Sequence, residues 1–248
     1  MSIARFFRGN KTDPHCSAVI VAAGSSERMG TDKLMMEIGG VPALARTLTV
    51  FQQCLLVDEI VVVTRMDRVT EIAELCRKYG ISKAAKVITG GATRMESALA
   101  GVSAVRCGSR LIAIHDGARP LVTAELIERT VKAAAEHLSA VPVIPVTDTL
   151  KRVGADGVIV GGVDRTDTVR VQTPQVFDAD LIKGALTAAA KENLPITDDC
   201  SAIERMGVKT RTVEGDTENI KLTMPEDVTI AEAILKHRGE LNAYRAWV

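Results

Sequence analysis

SAVIVAAGSSERMGTDK, residues 17–33, decides the fold, because an apolar strand here runs directly into a loop of small residues. The apolar run 18–22 has the length and composition of a buried strand. Gly24 and the two serines after it let the backbone turn closely around a ligand. Backbone N–H groups in such a loop can hold phosphate oxygens, with Arg28 as a planar fork of donors and Lys33 as a mobile charge. The stretch therefore predicts a strand that leads into a phosphate-binding loop.

Two common phosphate-loop motifs do not fit this spacing. Gly24 and Gly30 precede Thr31, whereas a Walker A motif continues with Lys and then Ser or Thr. Ser26 occupies the second glycine position of a GxGxxG motif. From the loop alone, an ordinary strand-to-helix turn whose cations face water is the alternative, so the rest of the chain must discriminate between the two.

Composition limits both the architecture and the partners. The 248 residues are 46% hydrophobic, which is enough for one large α/β domain with a full core. Lys plus Arg and Asp plus Glu number 31 each, so no net field favours nucleic acid or an anionic membrane. Aromatic residues make up only 3%, which argues against a stacking platform for single-stranded nucleic acid. Any anion site must therefore be local.

Cysteine usage and the apolar runs indicate a cytoplasmic protein. Five cysteines are scattered along the chain without a CxxC pair, which argues against a disulfide framework or a zinc site and for a reducing cytoplasm. No apolar run approaches the length of a transmembrane helix, and the start MSIARFFRGNKTDPH lacks a signal-peptide pattern. We therefore expect residues 1–15 to form a flexible extension, and we expect no membrane association.

Helical periodicity alternates with short β-branched runs over most of the chain. The spacing predicts strands over 59–64, 86–89, 110–115, 140–146 and 208–213, and helices over 42–53, 69–79, 94–105, 125–137, 178–191, 199–206 and 225–235. Such alternation is typical of an α/β fold with a mostly parallel sheet covered on both faces. Ligands of these sheets bind at the carboxyl ends of the strands, where the glycine-bearing loops 23–25, 90–94 and 116–120 follow three of the strands.

The candidate chemistry lies in these loops, since motifs for other mechanisms are missing. The chain has no HExxH, no GxSxG and no Cys/His cluster, which argues against zinc hydrolysis and against serine or cysteine nucleophilic catalysis. His115 ends a strand next to Asp116 and could act as a base, although a packed imidazole that fixes the loop is the favoured interpretation. Cations recur on the loops instead, namely Arg28, Lys33, Arg94, Arg119, Arg165 and Lys221. Several cations at one rim indicate a substrate that carries phosphates.

The segment 148–172 differs from the rest of the chain in its pattern. Its short alternating stretches are separated by residues 154–157 and by Gly161-Gly162, which predicts a β-hairpin. An edge hairpin folded back on its own sheet is one interpretation, and a protruding arm that pairs with a second subunit is the other. We interpret the segment as an arm.

Seven segments together resemble the 2-C-methyl-D-erythritol 4-phosphate cytidylyltransferases, nucleotidyltransferases of the non-mevalonate isoprenoid pathway. They are AAGSSERMG, ITGGATRMESALAG, IHDGARPLV, PVTDTLKRV, TVRVQTPQVF, TDDCSAIERMG and ENIKLTMPEDV, in this order between about Ser17 and Leu235. The combination is far more specific than any single loop. The chain departs from the family at two places. The family usually has Pro-Lys-Gln several residues after its arginine, whereas here the stretch is shorter and Lys33 comes earlier. Ala92 stands where some relatives have an acidic residue.

The resemblance implies a single Rossmann-like three-layer nucleotidyltransferase domain at 16–238, with 148–172 as a β-hairpin dimerisation arm, and a C-terminal tail at 239–248. It implies transfer of the cytidylyl group from CTP to 2-C-methyl-D-erythritol 4-phosphate in a homodimer, with Mg²⁺ as cofactor. A cytidylyltransferase for another polyol phosphate, such as ribitol 5-phosphate, resembles the same loops and is the nearest alternative.

Two other classes fit less well. A metal-dependent glycosyltransferase is suggested by Asp178-Ala179-Asp180, but these residues are typical of a helix N-terminus. A catalytically idle nucleotide-binding regulator is disfavoured because both Arg28 and Lys33 are present. The transferase interpretation is therefore kept.

Position by position, the resemblance assigns three groups of site residues. The catalytic group is Arg28, Lys33, Arg165 and Lys221, of which Arg165 reaches the neighbouring subunit's site from the arm. Nucleotide binding is assigned to Ala22, Ala23, Gly24, Gly91, Arg94, Ser97 and Asp116, and acceptor binding to Asp116, Arg119, Thr149 and Thr173. Mg²⁺ is expected mainly on the CTP phosphates, and Asp116 is a candidate either for a protein ligand of the metal or for a group that holds a substrate hydroxyl.

Overall fold

The computed structural model describes residues 14–24 and 32–241. Most of the predicted extension 1–15, most of the tail 239–248, and Arg28 lie outside the described residues. Inside these two ranges, no helix is long and apolar enough to cross a membrane.

Strands and helices alternate along the described part of the chain. The strands are β1 (Cys16–Val21), β2 (Glu37–Ile38), β3 (Val41–Pro42), β4 (Val57–Thr64), β5 (Ala84–Thr89), β6 (Leu111–Asp116), β7 (Ser139–Pro145), β8 (Lys151–Val153), β9 (Ile159–Gly162), β10 (Val169–Val171), β11 (Gln175–Asp178) and β12 (Arg211–Glu214). The helices are α1 (Ala43–Gln53), α2 (Val69–Lys78), α3 (Arg94–Ala104), α4 (Ala124–His137), α5 (Ala179–Lys191), α6 (Asp199–Arg205) and α7 (Glu226–His237).

Eight of the strands form one sheet in the order β10-β7-β11-β6-β1-β4-β5, with β12 also paired to β7. β1 lies in parallel between β4 and β6, and β5 continues in parallel beyond β4. β11 runs antiparallel between β6 and β7, β10 runs antiparallel to β7, and β12 is parallel to β7. Within this eight-stranded sheet, all strands except β10 and β11 therefore share one direction, and the predicted mostly parallel sheet is confirmed.

Helices cover both faces of the sheet, as β1 shows. Successive residues of this strand point to opposite faces. Ala18 and Ile20 pack in a cluster with Phe51 of α1 and with apolar residues of α4. Val19 packs in a second cluster with Leu186 of α5 and with apolar residues of α3. The predicted arrangement of a sheet between two helical layers is thereby confirmed.

Several segments differ from the prediction, including the short antiparallel pair of β2 and β3, which was not predicted. β11 is a strand that periodicity does not reveal, because it is only four residues long and lies between a proline and a helix N-terminus. The strand expected over 208–213 begins only at Arg211. Within the predicted arm 148–172, the free hairpin is limited to β8 and β9, while Val169–Val171 joins the main sheet as β10, since alternating Val-Arg-Val fits an edge strand.

Candidate active site

Two adjoining clefts lie at the carboxyl ends of the parallel strands. The first, here called the glycine cleft, has a volume of about 420 Å³ and is bordered by the loops after β1 and β5. The second, the bulge cleft, has a volume of about 510 Å³ and is bordered by the segment between β10 and β11 and by α6. Arg94, Asp116 and Lys221 line both clefts. The loops converge because β1, β5 and β6 run in the same direction and end at one edge of the sheet.

The glycine cleft is formed by the end of β1 and the start of α3. Its lining includes the residues that the resemblance assigned to nucleotide binding or catalysis, namely Ala22, Ala23, Gly24, Lys33, Gly91, Arg94, Ser97, Asp116 and Lys221. α3 begins with a capping box, in which Thr93 and Glu96 each accept the other's backbone N–H through their side chains. A Cβ at Gly90 would lie 2.6 Å from Ser97 Oγ, so this close approach requires glycine. The loop can therefore offer backbone N–H and C=O groups to a ligand in the cleft.

Thr173 reaches the bulge cleft because extra residues interrupt the β10–β11 strand. Residues 172–175 oppose only residues 141–142 of β7, which is the geometry of a β-bulge. The bulge turns Thr173 towards β6, where its Oγ1 accepts the Asp116 backbone N–H at 3.1 Å. Arg119 lines this cleft too, together with polar residues that the sequence analysis did not assign, namely Gln172, Gln175, Thr197, Asp198, Ser201 and Glu204.

Asp116 is the centre of a charge cluster between the two clefts. Its Oδ2 accepts from Lys221 Nζ at 2.8 Å, and its Oδ1 accepts from Arg94 Nε at 3.2 Å. Arg119 Nε lies 3.9 Å from the same Oδ2. Burial would raise the pKa of Asp116, but the charges of Arg94 and Lys221 more than offset it and hold the pKa well below its usual range. One carboxylate therefore gathers three cations at the shared wall, where a phosphate can take over their contacts.

Asp199, in the first turn of α6, is a charged partner of the site that sequence reasoning missed. Its Oδ2 accepts from Arg94 NH2 at 2.8 Å, and its side chain is only 1% exposed. Burial raises the pKa of Asp199, and the Arg94 charge opposes this shift. The sequence does contain a sign of this role. Asp199 stands four residues before Ile203, on the apolar face of a helix, and a carboxylate in that position needs a charged partner.

His115 is a fully buried imidazole whose two nitrogens both have hydrogen-bond partners. Nε2 lies 3.4 Å from the Arg119 carbonyl oxygen, and Nδ1 lies 3.0 Å from Thr173 Oγ1. Because a carbonyl only accepts, Nε2 carries the proton, and Nδ1 accepts from the Thr173 hydroxyl. Burial lowers the pKa of His115 to about 3, so the ring stays neutral. His115 therefore fixes the loop after β6, as the favoured interpretation from sequence expects.

The neutral state of His115 predicts that the fold is less stable in acid. Between its folded pKa of about 3 and an unfolded pKa of ~6.5, only the unfolded chain takes up the proton, so stability falls as the pH drops below ~6.5. We expect urea denaturation to show a loss of about 2 kcal/mol through this group between pH 7 and pH 5. His115→Gln should lose less over the same range, with the three exposed histidines present in both proteins. An equal loss in the variant would contradict the assignment.

Arg165 and Thr149, two of the assigned residues, line neither of these clefts within one chain. Arg165 is exposed, and its NH1 donates to the Thr147 carbonyl at 2.7 Å. The adjacent β8–β9 hairpin exposes four apolar side chains by 57% or more, namely Val153, Val158, Ile159 and Val160. Such a contiguous apolar stretch is typical of a surface that contacts a partner.

Comparison with known families covers nearly the whole chain. Residues 16–237 match the sequence pattern of the family described as 2-C-methyl-D-erythritol 4-phosphate cytidylyltransferase. A protein of that name from Symbiobacterium thermophilum is 41% identical over 225 residues, which are 90% of this chain and 94% of the relative. Another from Halalkalibacterium halodurans is 44% identical over 224 residues, which are 90% of this chain and 97% of the relative.

Solved structures of similar proteins share the architecture. The crystal structure of 4-diphosphocytidyl-2C-methyl-D-erythritol synthase from Anaerococcus prevotii matches with a TM-score of 0.80 at 30% identity, covering 90% of this chain and 97% of the other. That of 2-C-methyl-D-erythritol 4-phosphate cytidylyltransferase from Thermus thermophilus matches with a TM-score of 0.73 at 31% identity, covering 88% and 98%. Both comparisons agree with the mostly parallel sheet described above.

Proposed function

The chain belongs to the 2-C-methyl-D-erythritol 4-phosphate cytidylyltransferase family, and from that premise we propose that the glycine cleft binds CTP and the bulge cleft binds the polyol phosphate. The protein is a nucleotidyltransferase that joins the cytidylyl group of CTP to 2-C-methyl-D-erythritol 4-phosphate, in isoprenoid precursor synthesis. The wall of Arg94, Asp116 and Lys221 shared by the two clefts supports this assignment most directly. Two phosphate-bearing substrates bound on either side of it would meet at the cations.

The reaction needs no side chain as a base. The nucleophile is a phosphate monoester, whose second pKa near about 6 leaves it largely dianionic at neutral pH. One of its oxygens bonds to the α-phosphorus of CTP, the bond from that phosphorus to the β-phosphate oxygen breaks, and pyrophosphate leaves with the electron pair. The neutral His115, with both nitrogens already bonded, agrees with a mechanism that has no general base.

The cations manage the approach of one anion to another. We assign Lys33, and by resemblance Arg28, to the triphosphate and to the pyrophosphate that leaves. Arg119 and Lys221 bind and orient the attacking phosphate from the bulge cleft. Asp116 holds Lys221 in place until that phosphate arrives. By resemblance, Thr149 and Thr173 are assigned to the acceptor. The proton of Thr173 goes to His115 Nδ1, so its Oγ1 can only accept from a hydroxyl of the acceptor.

Mg²⁺ is the expected cofactor, and when bound to the triphosphate it neutralises charge that builds on the α-phosphate. Within residues 14–24 and 32–241, no group of three or more His, Cys, Asp or Glu side chains could hold a metal ion. Both oxygens of Asp116 already accept from Lys221 and Arg94. The donor set therefore fits a Mg²⁺ held mainly by the CTP phosphates, with at most one oxygen from Asp116.

The β8–β9 hairpin supports a homodimer in which Arg165 of one protomer completes the site of the other. Arg165 lines neither cleft of its own chain, and the hairpin beside it exposes apolar side chains. A two-fold interface through this arm would cover them. By symmetry, each protomer would supply its Arg165 to the site of its partner, so both sites would be completed.

The cysteines favour a reducing compartment, and we propose the cytoplasm. All five are free thiols. Four are buried and Cys107 is exposed. Free thiols of this kind are typical of proteins kept reduced by the cell.

We expect CTP to be selected over UTP through the backbone groups of Gly91 and the side chain of Ser97, which line the glycine cleft and which the resemblance assigns to the nucleotide. Cytosine presents an amino donor where uracil presents a carbonyl acceptor, so backbone groups fitted to one leave buried polar atoms unpaired with the other. Each unpaired group costs about 1–3 kcal/mol. We therefore expect kcat/KM for UTP to be at least about 5-fold below that for CTP. Comparable values for the two nucleotides, with one acceptor at fixed concentration, would contradict this recognition.

The function is tested by pyrophosphate release from CTP. Release should require 2-C-methyl-D-erythritol 4-phosphate, and the product should be the diphosphate 4-diphosphocytidyl-2-C-methyl-D-erythritol, identified by mass. Ribitol 5-phosphate is the matched alternative acceptor, and the relatives' names do not favour it. Faster turnover with ribitol 5-phosphate would overturn the acceptor assignment, and release without either acceptor would overturn the transferase assignment.

A further inference from the structure

Lys221 lies on a segment without regular secondary structure, residues 215–222, here called the lysine loop. Its two ends are tied to the framework through backbone amides. The Gly215 N–H donates to the Val143 carbonyl at 2.8 Å, and the Leu222 N–H donates to the Ala118 carbonyl at 2.8 Å. Between these two points the described part of the chain adds no strand pairing to the loop, and side chains from other elements help to fix it.

On the side of the bulge cleft, two polar side chains hold the lysine loop. Arg119 NH1 donates to the Asn219 carbonyl at 2.7 Å, and Gln172 Nε2 donates to the Asp216 carbonyl at 2.7 Å. Both residues line the cleft itself. Their replacement would therefore change substrate contacts and loop position together.

Arg238 holds the same loop from outside the clefts. Its Nε donates to Glu218 Oε2 at 2.7 Å, its NH2 donates to Asp216 Oδ2 at 3.3 Å, and its NH1 donates to the Leu121 carbonyl at 3.1 Å. The side chain is 13% exposed and lines neither cleft. Arg238 directly follows α7 and lies just beyond the family match, which ends at residue 237.

We propose that Arg238 is a positioning residue for Lys221. This inference rests on the proposed function, which assigns Lys221 to the phosphate of the acceptor. Asp216 and Glu218 form one tight turn, since Asp216 Oδ1 accepts the Glu218 N–H at 2.8 Å. Without the guanidinium, their two carboxylates repel each other and the turn opens. Lys221, only three residues further along, then loses its alignment with the attacking phosphate, and small misplacements of reacting groups lower rates strongly.

A double-mutant cycle separates this role from general structural support. Arg238→Ala should lower kcat about 10-fold and raise KM for the acceptor more than KM for CTP. Lys221→Ala should lower kcat about 100-fold. Because Arg238 acts through Lys221, the double variant should be within about twofold of Lys221→Ala. A double variant about 1,000-fold below the wild type, the product of the two single effects, would overturn the proposal.

Two further variants sharpen the cycle. Glu218→Gln should restore part of the activity of Arg238→Ala, because it removes one of the two repelling carboxylates. Arg106→Ala is the matched control, since Arg106 NH2 pairs with Asp58 at 2.8 Å and lines neither cleft. Its kcat should stay within about twofold of the wild type. Absence of any rescue by Glu218→Gln would count against the repulsion argument.

Hydrogen exchange gives a readout that does not depend on the proposed reaction. In Arg238→Ala, the amides of Asn219 and Leu222 should exchange at least about 10-fold faster, while those of α3 keep their rates. Unchanged exchange in the lysine loop would overturn the positioning role even if activity falls. Conversely, the wild type could transfer no cytidylyl group while Arg238→Ala still speeds exchange in the lysine loop. That result would refute the proposed function and still support the contact between Arg238 and the loop. Arg238→Lys serves where the alanine variant does not fold, and a smaller effect in the same direction is expected.

Discussion

Lys33→Ala is expected to lower the turnover of cytidylyl transfer about 10²–10³-fold. Lys33 lies in a turn on the wall of the glycine cleft, together with Gly91 and Arg94. In the proposed mechanism its charge would meet the negative charge that moves onto the leaving pyrophosphate, so the interaction would be stronger in the transition state than with bound CTP. kcat should therefore fall far more than KM for CTP rises, as steady-state pyrophosphate release will show.

The free energy of unfolding should change by less than about 1 kcal/mol in this variant, because Lys33 is partly exposed on a turn. Lys132→Ala is the matched control, since Lys132 is 57% exposed and pairs with Glu128 along α4. Its turnover should equal that of the wild type. If Lys33→Ala keeps near wild-type turnover, the shortened stretch before this lysine has moved its role elsewhere, and the assignment carried over from the family is wrong.

The framework of the site could be predicted from sequence because it depends on short-range signals. Continuous β-branched runs such as Val57–Thr64 mark buried parallel strands, and all parallel strands end at one edge. Glycines directly after those strands, as at Gly24 and Gly91, then place backbone groups at that edge without further information. The glycine cleft was foreseeable for this reason.

The bulge cleft could not be predicted in the same way, because pairing between distant strands creates it. Thr173 faces Asp116 only because residues 172–175 bulge against β7, and nothing in the local sequence sets that register. β11 itself runs antiparallel between two parallel strands, which the alternation of strand and helix does not suggest. Sequence reasoning reached Thr173 through the family resemblance alone.

Partners of charged residues were the least predictable feature. Asp199 and Arg94 are 105 residues apart in the chain, yet they form a partly buried ion pair at 2.8 Å. The sequence shows that a carboxylate on an apolar helix face needs a cation, but not which of the many arginines supplies it. The identity of the partner comes from the packing of α6 against the end of the sheet.

Two inactive variants are expected to restore activity to each other if Arg165 serves the partner's site. Lys221 lies in the clefts of its own chain, whereas Arg165 donates to Thr147 beside the exposed hairpin and lines neither cleft. Lys221→Ala and Arg165→Ala should each lower activity about 10²-fold or more as homodimers. In a mixed dimer, the site with intact Lys221 receives an intact Arg165 from the other chain and should work normally, while the second site carries both defects.

Random reassortment of equal amounts makes half of the dimers mixed, so about a quarter of all sites should recover. The measurement is cytidylyl transfer after co-refolding the two variants, with each variant refolded alone as the baseline. Mass spectrometry of the intact dimers gives the mixed fraction independently of activity. Dimers formed through the arm would place two apolar hairpins against each other, so Val160→Asp should reduce both dimer formation and activity in the wild-type background. No recovery in a sample with demonstrated mixed dimers would assign Arg165 to its own chain's site, or to no site, because only exchange across the two-fold axis can combine an intact Lys221 with an intact Arg165.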